Sequence, residues 1–325
     1  MLEKKISIIV PVFNEQSVIR SFHERLSIVL GRLNLFSEVI YINDGSTDDT
    51  KTQLKMIRSQ DSKVAILNLS RNFGKEIAVT AGLDYSNGDA VIIIDADLQD
   101  PPELIFDFVK WWEQGYDVVY GKRESRAGDP YFKKITAFCF YRIMRLLCPV
   151  SIPVDTGDFR LLSRKAVDAL KQIKEHSRFM KGLYAWIGFP QKAVLYNRDA
   201  RFLGKTKWNY WRLWNFAIDG VASFSMAPLR VASYIGLLIS LMSFLYGMII
   251  ISKTLLFGEV IKGYPSLMTV ILFLGGIQLM VMGIIGEYIG RIFNEVKMRP
   301  LYFIESYEPV DLVSELKQPA FCGDK

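Results

Sequence analysis

The chain has 325 residues, half of them hydrophobic and 23% charged, with a formal net charge of +6. That length holds one sizeable domain plus smaller elements, and the positive charge suits work beside anionic lipid, with nucleic acid as the weaker explanation. Three cysteines, Cys139, Cys148 and Cys322, have no paired metal spacing, and their odd number argues for free thiols in a reducing compartment.

Met1 to Lys5 lead directly into a strand-like run with no small-residue cleavage site, so the amino-terminal domain is expected to stay in the cytoplasm. Ile6 to Val12 predicts a buried strand closed by the turn residues Pro11 to Glu15. Val18, Phe22, Leu26 and Val29 recur at helical spacing, which predicts a helix from Ser17 to Leu33. Glu38 to Asn43 reads as a second strand. It runs into Asp44-Gly45-Ser46-Thr47-Asp48-Asp49, which combines a strand-end carboxylate, a glycine turn and an acidic cap for the next helix. Val64 to Leu69 predicts a third strand, followed by Ser70 to Lys75 and a helix ending near Tyr85.

From Ala90 the sequence is AVIIIDADLQDPP, in which an apolar run ends abruptly in carboxylates. Val91 to Ile94 predict a strand buried on both faces of a largely parallel sheet. Strands and helices alternate to this point, so the expected fold class is α/β, Rossmann-like and doubly wound. Ligands of such sheets bind outside the carboxyl ends of the strands, which puts Asp95, Asp97, Gln99 and Asp100 at the expected site. So much negative charge calls for a cation. An oxygen-only set suits a hard divalent ion, Mg²⁺ or Mn²⁺, held by one or two carboxylates plus substrate phosphates. The plainer account is a strand ending in a solvated acidic turn.

Asp117 to Tyr120 predicts a further strand whose end faces the same crevice, with Lys122, Arg123 and Arg126 after it and Lys133 and Lys134 beyond. Between Trp208 and Ala222, Trp208, Trp211, Trp214, Ile218 and Val221 recur at helical spacing opposite Asn209, Arg212, Asn215 and Asp219. This predicts an interfacial helix with tryptophans at headgroup level, or else packing against the catalytic domain. Val231 to Ile251 and Gly263 to Gly286 are uncharged runs of 21 and 24 residues. Each is long enough to cross a hydrocarbon core of about 30 Å, so a transmembrane hairpin is expected. Arg201, Lys205, Lys207, Arg212 and Arg230 precede it and Arg291, Lys297 and Arg299 follow, whereas the linker holds only Lys253 and Lys262 with Glu259. This bias puts both termini in the cytoplasm. The expected organisation is a catalytic domain over 1–205, a juxtamembrane helix over 206–229, spans over 230–257 and 263–290, and a tail over 291–325 with no readable pattern beyond Pro309. Gly275, Gly276, Gly283 and Gly286 would permit close helix contact, so a homo-oligomer is open.

Five pieces carry a resemblance: VPVFNE at Val10 to Glu15, NDGSTDDT at Asn43 to Thr50, SRNFGKE at Ser70 to Glu76, DADLQDPPE at Asp95 to Glu103, and DTGDFRL at Asp155 to Leu161. In this order, followed by a hairpin, they make the chain similar over residues 5–295 to the inverting family-two glycosyltransferases of the GT-A fold. Within these it resembles the membrane-bound polyprenyl-phosphate enzymes: bactoprenol glucosyl transferases, the undecaprenyl-phosphate aminoarabinose transferase and dolichol-phosphate mannose synthase. The resemblance implies that Asp97 and Gln99 ligate the metal and that Asp95 meets the nucleotide or the same ion. It makes Asp44 a uracil or ribose acceptor, with Pro11, Phe13 and Glu15 completing the nucleoside pocket and Lys75 on the nucleotide sugar. Asp158 becomes the catalytic carboxylate, acting as a base or by orienting groups and stabilising positive charge on the sugar. A polyprenyl phosphate, with a second pKa of about 6, arrives mostly ionised and needs little base strength. Asp44 could equally cap a helix, and Asp158 could be a turn residue. Arg123, Arg126, Arg201 and Lys205 are the expected acceptor-phosphate ligands, arginine being suited to bidentate phosphate contacts.

The activity implied is transfer of a hexose, by overall likeness glucose from UDP-glucose, to undecaprenyl or another polyprenyl phosphate at the cytoplasmic face of the inner membrane. Physical chemistry alone leaves mannose, galactose and aminoarabinose open. A non-catalytic nucleotide-sugar-binding scaffold for a membrane partner also stays open. A processive polysaccharide synthase is disfavoured, because the chain lacks a Q-x-x-R-W motif and has only two spans.

Overall fold

The computed structural model describes residues 4–33, 35–124, 153, 156–176, 178–196, 227–257 and 263–311. The chain divides into two units, one of residues 1–141, 150–213 and 300–325 and one of residues 142–149 and 214–299.

The first unit is built on an eight-stranded sheet. Strands β1 (Lys5–Val12), β2 (Phe36–Asn43), β3 (Val64–Leu69) and β4 (Ala90–Ile93) alternate with helices α1 (Ile19–Leu30), α2 (Thr50–Gln60) and α3 (Lys75–Tyr85). A short 3₁₀ turn, α4 (Ile105–Glu113) and β5 (Val118–Arg123) follow, then β6 (Thr156–Ser163), α5 (Arg164–Gln172), α6 (Met180–Trp186) and β7 (Gln191–Tyr196). The spatial order is β7-β5-β6-β4-β1-β2-β3-β8, where β8 is Ile304–Glu308. The central strands are parallel and near-continuously β-branched, and Ile6, Ile8, Ile9, Val10, Ile92 and Ile93 are fully buried because helices cover both faces. Val18, Phe22, Leu26 and Val29 are all buried, as the helical spacing predicts.

Two features depart from the largely parallel expectation. β6 runs antiparallel to both β4 and β5, pairing Ile93 with Arg160 and Tyr120 also with Arg160. Part of the tail expected over 291–325 returns to the sheet: β8 pairs antiparallel with β3, Ile66 facing Glu308. Side chains secure that edge, with Lys51 Nζ 2.8 Å from Glu305, Asn68 donating to Ser306 at 3.0 Å and Tyr302 donating to Asp84 at 2.9 Å. The alternation in Ile304-Glu305-Ser306-Tyr307-Glu308 is polar enough to hide it as a strand in sequence, since an edge strand buries little.

The second unit contributes α7 (Ala227–Phe257) and α8 (Tyr264–Val296), which pack on each other. Leu229–Ile250 and Phe273–Val296 are long and apolar enough to cross a membrane, with mean hydropathies of 1.9 and 1.4 and no burial inside the structure. The second helix runs past the expected end at 290, carried by an Arg291–Glu287 ion pair of 2.8 Å one turn apart. Leu237, Phe244, Phe273 and Leu279 are all well exposed, an apolar surface that demands lipid or a partner.

Gly82 shows how tightly α3 lies on the sheet. A Cβ there would fall 2.5 Å from Ile9 Cγ2 and 2.8 Å from Ile42 Cδ1. Gly82→Val is therefore expected to destabilise the first unit by on the order of 1–3 kcal/mol through overpacking, read as a lower thermal unfolding midpoint.

Candidate active site

The carboxyl ends of β1, β2 and β4 open on one edge of the sheet, and their loops are cross-braced. Asn14, at φ +55°, donates its N–H to Ser46 Oγ at 3.0 Å and accepts from the Thr47 N–H at 2.9 Å. The Glu15 N–H reaches Thr50 Oγ1 at 2.9 Å, and Asp48, rather than the adjoining Asp49, accepts the Thr50 N–H at 3.0 Å as the acidic cap of α2. Pro11, Phe13 and Glu15 lie half-buried along this seam.

Asp44 is 3% exposed. Its Oδ1 accepts the Phe73 N–H at 2.7 Å and its Oδ2 the Gly74 N–H at 2.9 Å. Burial pushes its carboxyl up, partly offset by those two N–H groups and by Arg71. The carboxylate expected at a uracil or ribose thus clamps the 70–74 loop. Gly45 makes the approach possible: at φ +64°, a Cβ would sit 2.4 Å from the Arg71 carbonyl carbon.

The clamped loop delivers Lys75 at the start of α3. Lys75 Nζ donates to Asp95 Oδ2 at 2.7 Å and to Asp158 Oδ2. Burial works to lower the ammonium, but Asp158 and Asp95 prevail and raise it well above the usual lysine range. Asp158 reaches this edge because β6 is antiparallel and begins where β4 ends. Its backbone is held by Arg160, whose Nη2 donates to the Gly157 carbonyl at 3.0 Å and whose guanidinium stacks 3.7 Å over Tyr184. Asp158 Oδ1 is buried and accepts no hydrogen bond among the described residues, with Lys181 Nζ 3.9 Å away. Burial would raise the Asp158 carboxyl, yet Lys75 and Lys181 hold it well below the usual carboxylate range. Burial, and then the neighbouring Asp158, push Glu76 up to about 7 against the pull of Lys75, Lys181 and Arg160. Asp95 is also raised, by burial first, with Lys75 opposing and Asp158 and Asp100 adding to it.

After Asp95 the chain bends through Leu98 at φ +58°, a left-handed conformation unusual for a large side chain. Asp97 is half-buried and Asp97 Oδ1 accepts the Gln99 N–H at 3.2 Å, while Gln99 is 6% and Asp100 1% exposed. Among the described residues no three His, Cys, Asp or Glu side chains close on a common point. Asp95, Asp97 and Gln99 therefore form no preformed cage. Their all-oxygen chemistry fits a hard cation that takes one or two protein carboxylates and finds its other ligands on substrate phosphates.

Arg123 ends β5, half-buried, and hydrogen-bonds the Tyr196 hydroxyl. Arg126, Arg201 and Lys205, together with Asp155 and the tryptophan-rich 208–222 stretch, lie outside the described residues. Sequence reasoning passed over Glu76 and Arg160, although both stand inside quoted motifs. Lys181 and Tyr196 belong to no motif and reach the site only through the fold.

An acid-rich crevice at the strand ends of an α/β sheet is where such folds bind their ligands, and two long apolar helices follow it in the chain. Residues 7–171 match Glycosyl transferase family 2 and residues 227–292 match the GtrB C-terminal hairpin, and the chain belongs to glycosyl transferase family 2. It is 52% identical to an uncharacterized glycosyltransferase of Synechocystis over 92% of this chain and 94% of that one. It is 46% identical to the bactoprenol glucosyl transferase of Shigella phage SfII over 93% and 97% of the two chains. Among solved structures, glucosyl-3-phosphoglycerate synthase of Mycobacterium tuberculosis is a remote likeness, at 20% identity and TM-score 0.47 over 67% of this chain and 78% of its own.

The Glu76 carboxyl gives the site a signature in pH. Because it is raised from 4.5 to about 7, the folded protein binds more protons than the unfolded chain between those values, so stability falls as pH rises through that window. Glu76→Gln removes this loss. Its unfolding midpoint relative to wild type is expected to climb from pH 4.5 to 7 and level off above, as thermal denaturation across that range would register.

Proposed function

We propose that the protein transfers glucose from UDP-glucose to a bactoprenol-type polyprenyl phosphate, with inversion at the anomeric carbon, at the cytoplasmic face of a membrane holding its hairpin. The observation that carries this reading is that relatives named bactoprenol glucosyl transferase align over 93% of this chain, across both the acidic crevice and the two apolar helices. An acceptor phosphate oxygen forms the new bond to C1 while the C1–O bond to UDP breaks and its electron pair leaves with the diphosphate. Positive charge builds on the sugar ring between them.

Asp158 is the carboxylate for that charge. Held far below the usual range by Lys75 and Lys181, it stays ionised throughout and is a weak base, which favours electrostatic stabilisation and orientation over proton removal. Lys75 fixes its position relative to Asp95 and sets a cation beside the departing diphosphate. Asp97, with Asp95 and Gln99, would hold Mg²⁺ or Mn²⁺, which when bound supplies Lewis-acid neutralisation of the leaving group. The seam formed by Pro11, Phe13 and Glu15 takes the nucleoside, with Asp44 shaping its wall through the 70–74 loop. Arg123 meets the acceptor phosphate, assisted by Arg126, Arg201 and Lys205.

In a transfer assay with radiolabelled UDP-glucose and undecaprenyl phosphate, label is expected in the lipid with Mg²⁺ and not with EDTA, and mass spectrometry of the product identifies the sugar. Asp158→Asn is expected to lower kcat by about 10²-fold or more while UDP-glucose affinity stays near wild type. Near-normal turnover in that variant would remove Asp158 from the chemistry, and donor binding with no transfer in the wild type would favour a scaffold.

A further inference from the structure

Tyr196, the last residue of β7, faces Arg123 across the parallel β5 ladder. Its hydroxyl donates to Asp100 Oδ1 at 2.5 Å and accepts from Arg123. Tyr196 is 5% and Asp100 1% exposed, so this junction is dry. Two glycines make room for the phenol: a Cβ on Gly121 would lie 2.9 Å from its ring, and one on Gly157 would lie 3.7 Å from its hydroxyl and 3.8 Å from Asp100 Oδ2. One neutral side chain thus touches the acidic loop after β4, the end of β5 and the beginning of β6.

A buried carboxylate and a guanidinium at this range attract strongly, and a direct pair would draw the arginine inward onto Asp100. The phenol stands between them. It gives Asp100 one hydrogen bond of the kind a buried carboxylate requires, and it takes one from Arg123. We propose that Tyr196 is a positioning residue, a neutral spacer that satisfies Asp100 and keeps the Arg123 guanidinium at the end of β5, where the acceptor phosphate binds. The proposal rests on the reading above that Arg123 meets that phosphate. It also ties the acidic loop to the strand from which the chain departs toward residues 197–226.

Steady-state kinetics of the full-length protein test it. Tyr196→Phe keeps the ring and removes the hydroxyl, so the KM for undecaprenyl phosphate is expected to rise about tenfold while the KM for UDP-glucose moves less than about twofold. Combining it with Arg123→Ala should add nothing to the acceptor KM of Arg123→Ala alone, because both changes remove the same contact. Tyr196→Phe with Asp100→Asn should recover most of the lost acceptor affinity, since Asp100 no longer carries the charge that pulls the arginine inward. A merely structural tyrosine would show no such recovery. The same double variant serves if Tyr196→Phe alone loses its fold, because it no longer buries a carboxylate without its phenol. An unshifted acceptor KM in folded Tyr196→Phe, or an acceptor KM in the double variant as poor as that of Arg123→Ala, overturns the proposal and leaves the Arg123 reading standing. An unshifted acceptor KM in Arg123→Ala overturns that reading, and the spacer falls with it.

Discussion

An ammonium group shared between two carboxylates is the interaction on which the crevice depends. Asp95 ends one strand, Asp158 begins another, and Glu76 lies beside them, so three acidic groups crowd a region from which burial removes much of the screening by water. Lys75 bridges the first two, while Lys181 and Arg160 lie against the third side. Three cations therefore face three carboxylates before any ligand enters. The field they leave is uneven: Asp158 is driven firmly to the charged form, whereas Glu76 is held near neutrality. A site in which one carboxylate is ionised at every physiological pH and its neighbour is not has its roles assigned by environment rather than by residue type.

That arrangement needs Lys75 in one place, which explains the attention the fold gives to a short loop. Asp44 spends both oxygens on the backbone of residues 73 and 74, and Gly45 lets the loop close to within van der Waals contact. Gly74, at φ +100°, turns the chain directly into α3, so the lysine emerges at a helix start, where the helix dipole disfavours a cation. Two carboxylates offset that penalty. The antiparallel course of β6 matters as much: a parallel strand would present its far end to this edge, and Asp158 would be a strand's length away.

Much of this was legible in the sequence. Buried β-branched runs announced β1 to β4, 3.6-residue periodicity announced α1, and the abrupt change from Ile94 to Asp95 marked the crevice. What sequence patterns could not convey was partnership across long separations. Nothing local in Met180–Trp186 indicates that Lys181 will face Asp158, and nothing in the alternating Gln191–Tyr196 strand singles out its last tyrosine. Glu76 was overlooked because a glutamate in the first turn of a helix is ordinary capping chemistry. Asp44 was given to the nucleotide, with a helix cap as its plainer role; that its two oxygens also accept the Phe73 and Gly74 amides is a contact across some thirty residues that no local pattern conveys. The strand Ile304–Glu308 escaped notice because it is short and none of its residues is buried.

The electrostatics of Asp158 also bear on which acceptors this crevice can use. A sugar hydroxyl must lose its proton as it attacks, and a general base is effective when its pKa lies near the working pH. A carboxylate held well below the ordinary range by two ammonium groups is a poor proton acceptor, so it gives a hydroxyl little help. A phosphate monoester, with a second pKa of about 6, brings its nucleophilic oxygen already ionised. What it needs is a cation to offset its charge as it approaches the carboxylates, and a fixed anion to steady the electron-poor sugar. In the proposed reading Arg123 answers the first need and Asp158 the second. On that reading, the lysines that make Asp158 a weak base also offset the charge of an approaching anionic acceptor, so the low basicity and the use of a phosphate acceptor share a single electrostatic origin.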